Sequence, residues 1–405
     1  MKFKKYTAIG MAFLMIASIP NGAFAATLTG ITTTKYIEKQ EEKKLLTLEE
    51  AIKKAVGNNL ALKKYEITRE SLLKQIDSSY RNDKSIFDAK EFQESQLPGK
   101  DDPTYEKAKQ EMDYQFQKAM ANSDVVKASL ISQRGSIDMN TVMERESVGI
   151  NINRLFTSIQ QKQKDIEILT QKIEQDKKNI NIYEKQLNLG KISQSKFDEL
   201  ALETTKNANR MTIEKSKLSG YYRELENATL LSNIEKNYNL EVKVYDYAPF
   251  ELTPETQKAK EQSAADLSAL VSSKTAAVKI STSKYDNYPY VMGDENTTYT
   301  QVLDNKYLSE LEESEAIRTS KANAQKKYNN IQELQQNIEL TQKDITKLEN
   351  QLNSLKNKYS LGLISKNTLD NSIFALKEAQ NGLESLKTQH YQLRQMYENS
   401  YFAGL

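Results

Sequence analysis

A chain that repeats itself at a fixed offset, without a gap, is committed to two copies of one structural unit. In this 405-residue sequence the offset is 172: Ile331, Ile338, Ile345, Leu352 and Tyr359 stand opposite Ile159, Ile166, Ile173, Ile180 and Leu187. Leu334, Leu348, Leu355 and Gly362 likewise stand opposite Lys162, Asp176, Tyr183 and Gly190. The first copy carries apolar residues every seven positions from Ile152 to Leu187, with Leu155, Leu169 and Tyr183 three after their partners. That spacing is the a/d seam of a coiled coil. Lys162 and Asp176 interrupt the d row, and polar residues in a seam cost stability while fixing register.

Each copy also ends its first helix in the same way. Leu189-Gly190-Lys191-Ile192-Ser193 in copy one matches Leu361-Gly362-Leu363-Ile364-Ser365 in copy two. Gly takes the left-handed turn that closes a helix, and Ser three residues on caps the next one. Both copies therefore read as helical hairpins with tight tips, returning over Phe197 to about Leu231 and Leu369 to about Tyr397. On the second return, His390 falls on the apolar stripe with Leu386, Leu393 and Tyr397, as a packed position rather than a catalytic one.

Proline, excluded from helix interiors, marks the boundaries. Pro98 and Pro103 form one cluster, and Pro249, Pro254 and Pro289 another. A helix from about 131 to 188 would run roughly 85 Å, so the expected object is a rod with two tips. Upstream, Thr47-Leu48-Glu49-Glu50 is a capping box opening an amphipathic helix through Ala51, Ile52, Ala55, Leu60, Leu62 and Ile67. Between the copies, Leu240, Val242 and Val244 alternate with Glu241 and Lys243 as a short strand. Thr253-Pro254 restarts helix. The expected fold is all-α: long antiparallel coiled-coil hairpins in two tandem repeats, with minor strands. The expected divisions are a signal segment 1–25, an extension 26–45, a first repeat 46–235 with its tip near 188–194, a linker 236–253, and a second repeat 254–405 with its tip near 360–366.

Composition excludes several chemistries. With no Cys there is no thiol nucleophile, redox pair or thiolate-bound zinc, and a single His rules out a multi-His metal site. A Ser-His-Asp triad could form only around His390. No motif calls for a cofactor or a catalytic residue, so a non-enzyme is expected. A hydrophobic share of 38% against 28% charged residues suits thin helices with narrow seams.

Met1 to Ala25 has a Lys-rich start, an apolar run from about Ala8 to Ile19, and Ala23-Phe24-Ala25 as a small-x-small cleavage site. Gly10, Ser18 and Pro20 interrupt that run, which argues for a cleaved export signal over a membrane span. No Cys follows the cleavage site to take a lipid. Residues 1–25 carry Lys2, Lys4 and Lys5 and no acid, leaving 54 bases against 55 acids in the remainder. That near-neutral balance draws the chain to no nucleic acid.

The export signal, the duplication, the Leu46-Thr47-Leu48-Glu49-Glu50-Ala51-Ile52 opening with Ala55 and Asn58-Asn59, and the two Gly-x-Ile-Ser tips together resemble the TolC-like outer-membrane efflux protein family. Leu60 stands where that family often has Pro. The resemblance implies a homotrimer whose hairpins form an α-helical tunnel, with tips docked on a periplasmic-type adaptor (membrane fusion protein) of an inner-membrane pump. By the same resemblance Leu189, Gly190, Ile192 and Ser193, with Leu361, Gly362, Ile364 and Ser365, would be the docking tips. Lys196 and Thr368 occupy about the place of the family's acidic residue after the tip Ser. Asp198 and Asp370 follow two residues later as candidate constriction carboxylates, although a helix-dipole role near the helix N-terminus suits them better.

The family also inserts membrane strands in each copy, which need about ten residues of alternating apolarity. Residues 81–124 are instead dense in charge, and the Tyr-rich stretch from Tyr285 to Val302 contains Asp294-Glu295-Asn296 and reads as a short ribbon at best, its tyrosines packing locally or binding at the helix ends. The expectation is a barrel-less relative, exported to the cell envelope or surface without direct membrane insertion. A second reading, an exported structural or adhesive coiled-coil rod with no channel, uses the same hairpins as a solid bundle.

Overall fold

The structure, a computed structural model, describes residues 43–242, 245, 247–288, 290 and 298–405. The signal segment, most of the extension, Lys243, Val244 and the centre of the 285–302 stretch lie outside the described residues.

In chain order the elements are β1 (Lys44–Leu46), α1 (Leu48–Asn58), α2 (Leu60–Ser95), α3 (Tyr105–Asn188), α4 (Gln194–Thr229), α5 (Ile234–Asn237), β2 (Tyr238–Leu240), α6 (Pro254–Asp266), α7 (Ala269–Asp286), α8 (Tyr299–Ser360), α9 (Lys366–Glu398) and α10 (Ser400–Ala403). Helix α3 is 84 residues long, about 125 Å of continuous helix. It extends well upstream of residue 131, where the heptad gives no sign of it. Its upstream half packs between α2 and α7, and its downstream half between α4 and α9; α8 packs on α7 and then α9. The hairpin half is thus an open row, α4–α3–α9–α8, in which α4 and α8 make no substantial contact with each other.

The amphipathic helix expected from Thr47 onward is two helices. Thr47 caps α1 through the Glu50 amide, but the chain turns at Asn59, which closes α1 and caps α2 by accepting from the Leu62 N–H at 2.9 Å. Leu60 and Ile67 consequently face solvent, at 79% and 70% exposure, rather than the core. Asn58 donates to the Thr229 carbonyl and Asn59 to Glu144, so the Asn pair pins this bend to α4 and α3. The expected strand is shorter than its apolar alternation: Tyr238–Leu240 pairs in parallel with Lys44–Leu46, and Val242 lies exposed outside it.

Two clusters form the core, and four positions of the first recur in the second. Ile152, Phe156, Ile159 and Leu225 are buried with Leu46, Ala51 and Ile234 in the first. At the same 172-residue offset, Ala324, Tyr328, Ile331 and Tyr397 occur in the second, with Phe250 and Ala403. Beyond these clusters the seams of α3/α4 and α8/α9 continue toward the tips through buried Leu169 and Ile173 in one copy, and through Ile338, Ile345 and Leu352 in the other. His390 is packed on the stripe, its ring edge-on to Tyr247 with Nε2 3.2 Å from Gln335 Oε1.

Where the family would place membrane strands, this chain has the helical hairpins α2/α3 and α7/α8. The α2/α3 pair is tied by polar and aromatic contacts: Lys127 to Asp83 at 2.6 Å, Arg69 to Asp138 at 2.7 Å, and Phe87 against Phe116. The Tyr-rich stretch packs locally. Tyr285 and Tyr299 lie hydroxyl to hydroxyl at 2.8 Å, and Tyr114 meets Tyr290.

Candidate functional site

Both tips are built by one backbone motif. In the first, Lys191 N–H donates to the Gln186 carbonyl and Gly190 N–H to Leu187, both at 2.8 Å; in the second, Leu363 donates to Lys358 and Gly362 to Tyr359, both at 2.9 Å. This double bond set closes a helix over a left-handed residue. Gly190 and Gly362 take φ of 68° and 72°, a region costly for any residue with a Cβ. A Cβ would meet nothing there, so backbone conformation alone demands glycine. Ser193 and Ser365 then cap α4 and α9, accepting from the Lys196 and Thr368 amides. Ile192 and Ile364 are half-buried beneath the turn, while Leu189 and Leu361 project at 69% and 73% exposure. Leu363, at 69%, joins them. Sequence reasoning passed over it because Lys191 is its counterpart.

The two tips lie at the same end of the molecule. Asn179 of α3 donates to Asn367 of α9 at 2.7 Å, and Asn367 donates to the Tyr183 hydroxyl at 3.0 Å. The rest of the α3/α9 contact is polar in the same way: Gln392 to Thr157, Asn381 to Asp165, Gln161 to Asn381, and Lys377 to Gln171. Within a hairpin the seam is mainly apolar, with polar pairs in the first; between hairpins these contacts form a ladder of hydrogen bonds.

Asp198 and Asp370 do not act at a helix N-terminus. Helices α4 and α9 begin at Gln194 and Lys366 with no acid in the first turn, so both carboxylates stand in the second turn, where the dipole has decayed. Asp198 accepts from Gln194 and is exposed; Asp370 is half-buried.

The Lys and Asp of the first seam are paired. Lys162 Nζ lies 2.6 Å from both Asp165 and Glu214, and Asp176 accepts from Asn207 of α4 at 3.0 Å. At the offset of 172, Lys162 and Glu214 become Leu334 and Leu386, and Asp176 and Asn207 become Leu348 and Ala379. Both of these polar pairs of the first hairpin are apolar pairs in the second. Desolvation is the largest single influence on both and opposes their charge, yet it is outweighed by the ion pairs together: Asp165 and Glu214 hold the Lys162 pKa above its ordinary value, and Lys162 and Lys217 hold the Glu214 carboxyl below its own.

A second duplicated feature governs the inter-repeat linker. Gln160 and Gln332, again 172 apart, donate to the carbonyls of Glu241 and Phe250 at 2.6 Å each. Gln335 accepts from the Phe250 N–H at 2.7 Å, so one glutamine from each repeat clamps one end of the linker. Between the clamps, Tyr245 stacks on Tyr391 at 4.1 Å and donates to Asn153.

Among the described residues no helix is long and apolar enough to cross a membrane, and no acidic or imidazole cluster could hold a metal ion. No protein-family model and no curated protein matches the sequence. Among solved structures the chain is similar to the CmeC outer membrane channel of Campylobacter jejuni, with a TM-score of 0.55 and 10% identity over 95% of this chain and 94% of that one. It is also similar to a membrane protein from Pseudomonas aeruginosa (0.54, 10%, 88% and 93%) and to the outer membrane protein VceC of Vibrio cholerae (0.52, 10%, 86% and 94%). Identity this low establishes fold and nothing further. The fold is the TolC-like helical hairpin fold, carrying two three-residue strands and no closed β-barrel among the described residues.

Proposed function

We propose that the chain is a TolC-like export duct component of the cell envelope: three copies enclose a helical tunnel whose tips dock on an adaptor protein serving an inner-membrane pump. It would reach the envelope by the signal segment 1–25, with residues 46–235 and 254–405 as its two repeats. The observation carrying this reading is the open row α4–α3–α9–α8, which leaves α4 and α8 at its two ends without substantial contact with each other and brings the two tips to one end. An α4 edge against the α8 edge of a second copy closes such rows into a ring. The roles of Leu189, Gly190, Ile192, Ser193, Leu361, Gly362, Ile364 and Ser365 as docking tips follow from this reading, as does a position for Asp198 and Asp370 near the narrow end. Helices in place of strands at the α2/α3 and α7/α8 end suit a duct that is not anchored through lipid.

The deciding experiment is the mass of residues 26–405 in solution by light scattering coupled to size exclusion, with and without detergent. A trimer in both conditions is expected. A monomer or dimer transfers the weight to a coiled-coil rod without a channel, and a trimer that requires detergent overturns the barrel-less reading.

A further inference from the structure

Both tips are basic, by different residues. From Lys185 to Phe197 the chain has Lys185, Lys191 and Lys196 and no acid; from Asn350 to Leu369 it has Lys356, Lys358 and Lys366 and no acid. Of these six, only Lys196 has an ion-pair partner among the described residues, Glu199 at 2.7 Å, and all six are exposed. The duplication sharpens the point. At the offset of 172, Lys191 faces Leu363, Lys366 faces Gln194 and Lys196 faces Thr368, so the charge recurs where its positions do not. The chain beyond residue 25 has a formal balance of −1, so the tips stand out from a neutral background. Lysine in a last helical turn also favours the dipole, which accounts for Lys185 and Lys358. It does not account for Lys191 in the turn, or for Lys196 and Lys366 on the following helices, where the dipole disfavours a cation.

On the reading of the tips as docking points, we infer that the partner is a protein presenting acidic side chains around small apolar pockets: pockets for Leu189, Leu361 and Leu363, carboxylates for the surrounding lysines. Lys356 is six residues before Gly362, about 9 Å up the side of the helix. The cationic surface therefore reaches up the flank of the second hairpin as far as Lys356, while on the first it ends at Glu184. An acidic element that reaches alongside the second hairpin meets Lys356 as well as the turns, whereas a flat anionic lipid surface meets only the turns.

The test places a photo-crosslinking side chain at one tip, Leu363→p-benzoylphenylalanine in the full-length chain in its own cells, and identifies the attached peptides by mass spectrometry. The expected adduct is one exported protein, with Asp and Glu in excess in the attached segment. Reversal by Lys358→Glu with Lys366→Glu should lower its yield about tenfold, and Lys358→Arg with Lys366→Arg should preserve it. An adduct from a neutral or basic segment, or one indifferent to reversal, overturns the acidic partner alone. Adducts to lipid only overturn it in favour of a membrane surface. Absence of any protein adduct here and at the equivalent Lys191 position removes the docking reading beneath it.

Discussion

At the scale of single residues, two glycines and one histidine carry the sharpest consequences. Gly190→Ala and Gly362→Ala add a methyl to open space, so their whole cost is the positive φ, about 1 kcal/mol each. Chemical denaturation should register that loss, and Asn, which tolerates this conformation, should cost less at both sites. His390 is neutral in the fold: burial first, and the Arg394 cation second, push its pKa below 6.5. An unfolded chain binds the proton more readily, so the contribution of His390 is complete above about pH 6.5 and is lost as pH falls toward the depressed folded-state value. His390→Leu, which copies Leu218 at the equivalent position, should flatten the fall in melting temperature across that window. An unchanged pH profile would exclude His390 as its source.

Among elements, the two hairpins are the same device with different seams. Lys162→Leu alone strands Glu214, 8% exposed, with only Lys217 beside it, and should cost about 2 kcal/mol. Lys162→Leu with Glu214→Leu recreates the pairing of Leu334 with Leu386 and should return stability to within about 1 kcal/mol of the parent. A double-variant loss equal to the sum of the losses of Lys162→Leu and Glu214→Leu measured singly would show that the pair is not coupled. This contrast explains what the sequence made legible. The hairpins and their tips could be read because leucine and isoleucine repeat at seven and the turns need glycine. The full reach of α3 and the bounds of α7 could not, because α3 upstream of residue 131 buries only Met112, Ala121 and Ser123 and α7 only Val271, too few apolar positions to show a seven-residue repeat. The linker clamp was hidden for another reason: glutamine in a polar stripe looks solvated, and only its recurrence at 160 and 332, and at 163 and 335, marks it. Asp198 and Asp370 fall in the second turn because α4 and α9 start directly after their Ser caps, at Gln194 and Lys366.

For the whole molecule, the open row of helices is an arc with two raw edges. On α4, Leu202 and Ile213 are each 54% exposed, and on α8 Leu340 is 58% exposed. On the trimeric reading proposed above, Ile213→Glu and Leu340→Glu should each convert the trimer to monomer without loss of far-ultraviolet helicity. A trimer that survives both changes places the contact elsewhere. The duplication adds a consequence of another kind, because it makes the chain its own reference sample. Backbone amides near Asp176 and near Leu348 occupy equivalent levels of equivalent hairpins, in one tube, at one temperature and one pH. Once each rate is taken against its intrinsic value, which the flanking side chains set, their deuterium uptake compares a level holding a hydrogen-bonded Asp and Asn with one holding a Leu and Ala. Amides opened by local fluctuation exchange at rates set by the free energy of that opening. The ratio of the two protection factors therefore compares the opening of a hairpin at a polar pair with that of its copy at an apolar pair, in one sample at one temperature and one pH.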